Sequence, residues 1–336
     1  MKAYEINEPR GIDNLKLVER DAPKPRPSEV LIRVRATSLN YRDLATVKGG
    51  AVTRGIRLPL IPLSDGAGEI VEVGAQVTRF KPGERVVASF FQSWLAGWPR
   101  ASYFGSALGG ALDGMLSEYV ALGEDGLVRI PEYMSFEEAA TLPCAAVTSW
   151  NALVSMGHIT AGETVLVLGT GGVSIFALQF ARMHGARVIA TSSSDGKLVR
   201  LRELGASGVI NYATTPNWDA HVLEMTGGEG VDHVIEVGGA GTLTKSIRAV
   251  KLGGRISLIG ILAGGGQIDP MPMLLKSVTL QGVYVGSRQM FEEMNRAMEI
   301  NEIHPVIDHV FSFGQVRDAL RHLERGAHFG KVCITV

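Results

Sequence analysis

The fold is decided by residues 164–194, which read TVLVLGTGGVSIFALQFARMHGARVIATSSS. Residues 164–168 are apolar and rich in β-branched side chains, which is typical of a buried parallel strand. Residues 173–184 repeat apolar side chains at helical spacing and are followed by Gly185, and residues 187–191 form a second β-branched run. The stretch therefore predicts a strand, a glycine turn, a helix and a second strand.

The turn between the first strand and the helix contains Gly169, Gly171 and Gly172, followed by Val173. Glycines at this place permit a tight turn and a close approach of backbone N–H groups to a pyrophosphate, which the positive end of the helix dipole also attracts. Ser174 stands where the usual G-x-G-x-x-G motif has its third glycine, and its small side chain still allows the helix to pack on the strand. We expect a dinucleotide to bind here, the alternative being a structural glycine turn in an unrelated α/β domain.

The end of the second strand indicates which dinucleotide binds. An acidic residue there would hold the ribose 2′-OH of NAD and would repel the 2′-phosphate of NADP. The chain instead has Ser192 and Ser193 at this place, and Asp195 is expected to cap the helix that follows. Lys197 and Arg200 lie on the first turns of that helix, although they could be ordinary solvated charges. Hydroxyl groups and cations suit a phosphate, so we expect NADP as the cofactor, with NAD as the alternative.

Composition limits the class of protein. The chain has 336 residues, of which 46% are hydrophobic, and its formal net charge is −1, so we expect two domains and neither nucleic acid nor an anionic membrane as a partner. No apolar run is long enough to span a bilayer, and the N-terminal residues MKAYEINEPRG lack the apolar region of a signal peptide. Two cysteines are too few for a disulfide framework, so a cytoplasmic protein is expected.

Two kinds of pattern divide the chain. Residues 1–125 contain short strands separated by turns, which favours a barrel-like or sandwich domain. Residues 126–287 alternate strands and helices, which predicts a doubly wound parallel sheet. Residues 288–336 hold two amphipathic helices and two strands, and we expect these strands to complete the first domain, with the nucleotide domain inserted in it.

The predicted elements have the following bounds. The strands of the first region are 16–20, 29–36, 68–73, 85–89 and 117–122. The later strands are 208–211, 232–236, 255–260, 278–285, 305–310 and 331–335, and the later helices are 195–204, 216–226, 241–251, 288–300 and 314–325.

Seven stretches, in their order and spacing, resemble the medium-chain dehydrogenase/reductase superfamily over nearly the whole chain. They are EVLIRVRATSLNYRDL (29–44), PLIPLSDGAGEIVEVG (59–74), FKPGERVV (80–87), AATLPCAAVTSWNAL (139–153), GTGGVS (169–174), VIEVGG (234–239) and GGRISLIG (253–260). The resemblance implies an α/β protein with a β-rich GroES-like catalytic domain and a Rossmann domain, and an active site in the cleft between them. It also implies a homodimer, and the apolar run 278–285 is the expected edge for pairing between subunits.

Zinc-dependent alcohol dehydrogenases of this superfamily hold catalytic zinc with Cys, His and a further Cys, His or Glu. The positions that match the family's cysteine and its Gly-His-Glu read Asn40 and, at residues 63–65, Leu-Ser-Asp. The first cysteine of the chain is Cys144 and the first histidine is His158, so the N-terminal domain lacks the sulfur and imidazole ligands of a zinc site. Two cysteines also cannot form a four-cysteine structural zinc lobe. We therefore expect no metal.

The resemblance is then to the zinc-free branch, which includes quinone oxidoreductases, enone reductases and alcohol dehydrogenase-like proteins. It implies that Asn40 lies near the nicotinamide and the substrate carbonyl. Tyr41 is a candidate proton donor or a packing residue, Asp43 is expected to order a turn, and Cys144 is expected to be a buried small hydrophobe. The predicted cofactor-binding residues are Thr148, Gly169, Gly171, Gly172, Val173, Ser192, Ser193, Lys197, Tyr212, Gly238, Ile259, Gly260, Leu262 and Lys331.

Residues 90–112, FFQSWLAGWPRASYFGSALGGAL, concentrate aromatic side chains in their first fifteen positions. One interpretation is a local aromatic core that ties down a long loop. The other is a lid over an apolar substrate pocket, lined by Trp94, Trp98 and Phe104.

Without a metal, a conjugated enone or quinone accepts hydride more readily than a saturated carbonyl, because the negative charge delocalises onto the oxygen. We therefore expect a zinc-independent NADP(H)-dependent oxidoreductase that acts on an enone, a quinone or a related carbonyl. One alternative is NAD(P)-dependent alcohol or aldehyde dehydrogenase-like activity. An alternative of another class is a non-catalytic, crystallin-like nucleotide-binding protein.

Overall fold

The computed structural model of the chain describes residues 1–50, 56–262, 264 and 266–336. These residues form β1 (Lys2–Ile6), β2 (Leu15–Glu19), β3 (Glu29–Ser38), β4 (Asp65–Val73), β5 (Arg85–Ala88), β6 (Tyr119–Gly123), β7 (Leu127–Arg129), β8 (Thr164–Leu168), β9 (Arg187–Ser192), β10 (Gly208–Asn211), β11 (Val231–Glu236), β12 (Val250–Leu258), β13 (Thr279–Gly282), β14 (Ile307–Ser312) and β15 (Lys331–Thr335).

Ten α-helices are formed by the described residues. They are α1 (Tyr41–Lys48), α2 (Phe136–Ala140), α3 (Val147–Trp150), α4 (Gly172–Met183), α5 (Asp195–Glu203), α6 (Trp218–Met225), α7 (Ala240–Ala249), α8 (Met271–Leu275), α9 (Arg288–Ile300) and α10 (Val316–Glu324). In the parts of the chain that the structure describes, none of the helices has the length and apolar character needed to cross a bilayer.

The first compact unit consists of Met1–Val147 and Val285–Val336. Its main sheet has the strand order β14-β15-β3-β4-β5-β7, with β6 also paired to β3, and β1 and β2 form a separate antiparallel pair. Strand β15 runs antiparallel to β3, so the C-terminal strands complete the N-terminal sheet as expected. The buried face of α10 packs into the same core as β1, through Val316, Ala319 and Leu320.

The second compact unit is Thr148–Tyr284 and contains a six-stranded sheet in the order β10-β9-β8-β11-β12-β13. All neighbouring strands in this sheet are parallel. The chain moves outward from β8 in one direction through β9 and β10, and in the other through β11, which makes the carboxyl ends of β8 and β11 a topological switch point. The predicted α/β fold class, with a GroES-like sheet domain and a Rossmann-like domain, is confirmed.

The structure differs from the sequence-based prediction in the domain boundaries and in several N-terminal elements. The first unit runs to Val147 and resumes at Val285, not at 125 and 288, because α2 packs on the sheet of the first unit. Helices α1, α2 and α3 and strands β1 and β7 were not predicted, and neither was α8 later in the chain. Helix α1 is only eight residues long and has a weak apolar pattern, so its main sequence signal is the pairing of Asn40 with Asp43 at its start.

Candidate active site

The glycine turn after β8 leaves open space beside the start of α4. Gly169 has a φ of +74°, which favours glycine, and a Cβ atom placed on Gly169 or Gly171 would meet no atom within 4 Å. Gly171 is the N-cap residue of α4, and no side chain caps this helix. The first backbone N–H groups of α4, from Gly172 onward, and the positive end of the helix dipole are therefore suited to a phosphate.

Two serines hold the start of α4 in place. Ser174 is buried and donates from Oγ to the carbonyl oxygen of Leu168 over 2.6 Å. Ser149 donates from Oγ to the carbonyl oxygen of Val173 over 2.8 Å, and its neighbour Thr148 is buried. The structure thus brings the segment that contains Thr148 next to the glycine turn, as the cofactor prediction requires.

The carboxyl end of β9 has hydroxyl groups and no carboxylate at Ser192. Ser192 is buried and its Oγ accepts the N–H of Ser194 over 3.2 Å, whereas Ser193 is exposed. The N–H of Tyr212 donates to the carbonyl oxygen of Ser192 over 3.0 Å, and Lys197 is half-buried on the first turn of α5. Ser192 and Tyr212, two of the residues predicted for the 2′-phosphate and the adenine, therefore lie together.

The expectation that Asp195 caps α5 is wrong. Ser194 is the N-cap residue, and Asp195 is the first residue of the helix. The Oδ1 atom of Asp195 accepts a hydrogen bond from Nδ2 of Asn211 over 2.7 Å, which ties α5 to the end of β10. A carboxylate in the first turn still interacts favourably with the helix dipole.

A buried glutamate, which the sequence analysis did not single out, organises the end of β11. Glu236 is completely buried, and its Oε1 accepts the N–H groups of Gly238 and Gly239, over 2.7 and 3.1 Å, and the hydroxyl of Thr242 over 2.6 Å. Its Oε2 accepts the hydroxyl of Ser246. Four donors offset the cost of burying this carboxylate. The signal that could have revealed it is an acidic side chain inside a buried parallel strand.

The end of β11 also joins the segments predicted to line the nicotinamide ribose. The carbonyl oxygen of Glu236 accepts the N–H of Ile259 over 2.8 Å, and that of Val237 accepts the N–H of Leu262 over 3.2 Å. A Cβ atom at Gly260 would lie 2.4 Å from the carbonyl oxygen of Val237, so only glycine fits there. These predicted residues therefore come together around one carboxyl end of the sheet.

In the first unit, a buried lysine binds the start of α1. Lys331 is 3% exposed and donates from Nζ to Oδ1 of Asn40 over 2.6 Å and to the carbonyl oxygen of Leu39 over 2.7 Å. Its Nζ also lies 3.6 Å from Oδ2 of Asp65. Strands β15 and β3 are antiparallel, and Cys333 pairs with Ser38. Two residues before Cys333 and two residues after Ser38, the same register places Lys331 opposite Asn40. These partners all belong to the first unit, whereas the glycine turn predicted to bind the cofactor belongs to the second. A contact of Lys331 with the cofactor therefore stays a prediction.

The amide of Asn40 has one unused polar atom. An ammonium group only donates, so the oxygen of the amide faces Lys331 and the nitrogen faces away from it. Within the described residues, Nδ2 of Asn40 is shielded from solvent and has no hydrogen-bond partner. Asn40 therefore offers a buried donor to a ligand, which agrees with the substrate-binding role predicted for it.

Asp65 is completely buried and both of its oxygens are held by hydroxyl groups. Ser64 donates from Oγ to Oδ1 over 2.8 Å, and Ser38 donates from Oγ to Oδ2 over 3.2 Å. Ser38 lies opposite Asp65 in the β3–β4 register, so the sheet itself places the carboxylate near Lys331. The result is a buried ion pair whose remaining lone pairs have donors.

Asp43 orders the first turn of α1, as expected. Its Oδ2 accepts the N–H of Asn40 over 2.8 Å, and its Oδ1 lies 3.2 Å from Nη1 of Arg42. Burial raises the pKa of Asp43 to about 6, and the neighbouring Arg42 partly opposes this rise. Asp43 and Asp65 together with Arg42 and Lys331 give two anions and two cations, so this group of side chains carries no net charge.

The two other candidates for chemistry in this unit differ in exposure. Tyr41 is 56% exposed at the first position of α1, and its hydroxyl has access to solvent protons. Cys144 is half-buried, and burial raises the pKa of its thiol, with a further contribution from Asp65. A thiol with a raised pKa is a weak nucleophile, which suits a small apolar residue, but Cys144 is half-buried and not buried as expected.

The aromatic segment forms a local core with an exposed rim. Trp94 is 2% exposed, donates from Nε1 to the carbonyl oxygen of Gly97 over 2.9 Å, and stacks on Tyr103 with ring centroids 5.9 Å apart. A residue that lines a substrate pocket needs an accessible ring. The ring of Trp94 is instead packed among neighbours of the same segment, which differs from the predicted pocket role. Trp98 and Phe104 are 72% and 51% exposed, so a substrate contact by these two residues stays a prediction. The other buried rings of the segment are Phe90 and Phe91.

Two family models match the chain. An alcohol dehydrogenase GroES-like domain matches residues 26–132, and a zinc-binding dehydrogenase domain matches residues 172–300. These ranges fall largely in the first and the second compact unit, respectively.

Curated relatives match almost the entire chain. A zinc-type alcohol dehydrogenase-like protein of Schizosaccharomyces pombe is 46% identical over 97% of this chain and 96% of its own length. A 2-methylene-furan-3-one reductase of Solanum lycopersicum is 34% identical over 99% of this chain and 79% of its own length. A quinone oxidoreductase of Homo sapiens is 28% identical over 97% of this chain and 95% of its own length.

Solved structures agree with the sequence relatives. A Sinorhizobium meliloti protein assigned as an alcohol dehydrogenase superposes with a TM-score of 0.93 at 41% identity, covering 100% of this chain and 98% of that chain. The strand orders of both units, the glycine turn and the near-complete coverage by these relatives lead to one assignment. The chain belongs to the medium-chain dehydrogenase/reductase superfamily, a family of oxidoreductases whose members bind NAD or NADP.

Proposed function

We propose that this protein is a zinc-independent, NADP(H)-dependent oxidoreductase that transfers hydride to or from an enone, a quinone or a related carbonyl compound. The observation that carries the proposal is the buried Nδ2 of Asn40, a hydrogen-bond donor held by Lys331 and without a partner among the described residues. Such a donor suits a substrate oxygen that gains negative charge during the reaction.

The zinc-independent part of the proposal is supported by the side chains at the family's zinc-ligand positions. Asn40, Ser64 and Asp65 stand there, and two of them face the ammonium of Lys331. In the described ranges of the chain, no group of three or more His, Cys, Asp or Glu side chains is arranged to hold a metal ion. A cationic group already among these oxygens does not fit a second cation in the same place.

The cofactor part of the proposal is supported by the second unit. The glycine turn and the start of α4 would hold the pyrophosphate, and the ends of β11 and β12 would hold the nicotinamide ribose. Ser192, Ser193, Lys197 and Tyr212 would hold the 2′-phosphate and the adenine of NADP. When bound, the reduced nicotinamide supplies one hydride, that is, one proton and two electrons.

The residues of the chain would then stabilise the oxygen of the acceptor. When the β-carbon of an enone gains a hydride, the electron pair of its C=C bond moves toward the carbonyl, and the oxygen becomes an enolate oxygen. The Nδ2 group of Asn40 would donate to this oxygen more strongly as its charge grows, which lowers the barrier. The α-carbon then gains a proton from the exposed hydroxyl of Tyr41 or from water.

A panel of electron acceptors tests the proposal. The purified protein should oxidise NADPH with enones or quinones, at rates that treatment with a chelator does not change. Saturated alcohols with NADP as the best substrates would favour the alcohol dehydrogenase-like alternative. Tight NADPH binding without turnover of any acceptor would favour the non-catalytic nucleotide-binding alternative.

We also propose that the protein is a cytoplasmic homodimer formed through β13. This strand is the last in the sheet order of the second unit, so one of its edges is available for pairing with a second copy. Sedimentation velocity should give twice the mass of one chain, and a monomer at micromolar concentration would contradict the proposal.

A further inference from the structure

We propose that Lys331 is a positioning residue of this reaction: its ammonium takes the place of a catalytic metal ion and fixes the Asn40 amide with Nδ2 toward the substrate oxygen. The inference rests on the proposed function for its substrate. The control of the Asn40 amide by the Lys331 ammonium can be tested without any substrate.

The ammonium of Lys331 has the surroundings of a small bound cation. Three kinds of oxygen lie around Nζ, namely the carbonyl of Leu39 at 2.7 Å, the amide Oδ1 of Asn40 at 2.6 Å and the carboxylate of Asp65 at 3.6 Å. Lys331 is 3% exposed and Asp65 is completely buried. Two of the three oxygens come from Asn40 and Asp65. In the resemblance to the zinc-dependent members of the family, Asn40 matches the zinc-binding cysteine and Asp65 falls in the stretch that matches Gly-His-Glu.

Charge explains why this group of side chains does not need a metal. Asp65 is balanced by Lys331, and Asp43 is balanced by Arg42 at 3.2 Å. A divalent cation added to these four residues would introduce two buried charges without counter-charges, which is strongly unfavourable. The lysine therefore supplies the positive charge that a metal would otherwise bring.

The ammonium also selects one orientation of the Asn40 amide. If the amide were turned over, its NH2 group would face the NH3 group of Lys331, and two donors would oppose each other. In the observed orientation, Nδ2 is left as a buried donor without a partner among the described residues, which is unfavourable. A substrate oxygen that accepts this hydrogen bond removes that cost, and the hydrogen bond from Lys331 to Oδ1 polarises the amide further.

The arrangement predicts that Lys331 acts on the reaction through Asn40. We expect Lys331→Met to lower kcat about 100-fold, the effect of removing one oxyanion donor. The Kd of NADPH should change less than about threefold, and a larger rise would overturn the inference in favour of the predicted contact between Lys331 and the cofactor. Asn40→Leu should lower kcat by a similar factor. The double variant Lys331→Met/Asn40→Leu should be no slower than Asn40→Leu alone, because the lysine has nothing left to orient.

Two further variants separate this role from a loss of folding. Lys331→Met leaves Asp65 buried without a cation, so Lys331→Met/Asp65→Asn removes both charges together and should keep the melting temperature while staying slow. Lys251→Met is the matched control, since Lys251 belongs to the second unit, forms an ion pair with Asp232 and has no role in the proposed site. This control should retain the full kcat.

NMR of the intact protein, labelled with 15N-asparagine, tests the control of the amide directly. The side-chain NH2 signal of Asn40, identified by its loss in Asn40→Leu, should shift in Lys331→Met and stay unchanged in Lys251→Met. An unshifted signal in Lys331→Met, or additive kcat losses in the double variant, would overturn the inference. If the wild-type protein turns over no enone or quinone, the proposed function fails, whereas the NMR result still decides whether Lys331 controls the amide.

Discussion

Ser174 donates a hydrogen bond from its Oγ to the carbonyl oxygen of Leu168 over 2.6 Å, and both residues are buried. The serine at the third position of the glycine motif therefore does more than leave room for the helix. It connects the last residue of β8 to the first turn of α4, on both sides of the predicted pyrophosphate site.

Ser174→Gly tests this connection. We expect the variant to lose about 1–2 kcal/mol in the free energy of unfolding, because a buried hydrogen bond disappears and glycine is a poor helix former. The Kd of NADPH should change by less than about threefold, since the N–H groups of the turn remain. Urea unfolding and a fluorescence titration measure the two quantities. Complete loss of NADPH binding would contradict the separation of the two roles.

Ser192→Asp tests the choice of cofactor. A carboxylate at the end of β9 would repel the 2′-phosphate and would hold the ribose hydroxyl of NAD, so the ratio of kcat/KM for NADPH over NADH should fall at least about tenfold. Ala220→Asp is the control, because it adds the same charge at an exposed position of α6. An unchanged ratio in Ser192→Asp would show that Ser192 does not face the 2′ position.

Glu236→Gln tests the buried carboxylate at the end of β11. The amide nitrogen of glutamine would face hydrogen-bond donors at Gly238, Thr242 or Ser246, so we expect a loss of about 2–4 kcal/mol in the free energy of unfolding. The KM for NADPH should rise in the same variant, because Gly238 belongs to the predicted ribose site. Wild-type stability together with a wild-type KM would contradict the role given to Glu236.

Asp43 makes stability depend on pH. Burial raises its pKa to about 6, above the ordinary value of 3.8, so the native state binds the proton more tightly than the unfolded state does. Its contribution to stability is therefore largest below the ordinary pKa and is lost as the pH rises through about 6, by at most about 3 kcal/mol. The neighbouring charges that modify this titration are Arg42, Asp65 and Lys331.

Asp43→Asn removes this titration. The free energy of unfolding of the wild type, minus that of the variant, should increase when the pH is lowered from about 7 to about 4.5. Chemical denaturation at several pH values measures the difference, and Asp21→Asn, at an exposed position of the same unit, is the matched control. A difference that stays constant over this range would contradict the raised pKa.

The two tryptophans of the aromatic segment should behave differently. Trp94→Ala removes a buried ring and should cost about 3–5 kcal/mol of stability. Trp98→Ala removes a ring that is 72% exposed, so stability should change by less than about 0.5 kcal/mol. If Trp98 lines the substrate site, its variant should raise the KM for bulky quinones and leave that for NADPH unchanged. Identical KM values would remove Trp98 from the site.

Much of the fold follows from the sequence, because buried parallel strands are short apolar runs and glycine turns separate them. The bounds of α9 and β15 were predicted as the structure has them, and the return of β15 to the N-terminal sheet was expected as well. Helix α1 was missed because eight residues with a weak apolar pattern are too short for periodicity to reveal. The helical residues 136–155 were missed because two π-helical turns, Leu142–Ala146 and Asn151–Ser155, interrupt the helical spacing.

The candidate site was predictable only in part. The glycine turn and the serines of β9 are local in sequence, so their spacing carries the signal. The contact between Lys331 and Asn40 joins residues 291 positions apart, and it depends on the register of β15 against β3, which composition does not reveal. The ion pair between Asp65 and the same lysine also depends on the register of β15 against β3.

The proposed reaction is NADPH-dependent hydride transfer to a conjugated carbonyl without a metal. The most direct measurement is the rate of NADPH oxidation with an enone or a quinone by protein that has been dialysed against a chelator and assayed for metal content. We expect full turnover with far less than one metal ion per chain. Turnover that disappears with the metal and returns when zinc is added would contradict it.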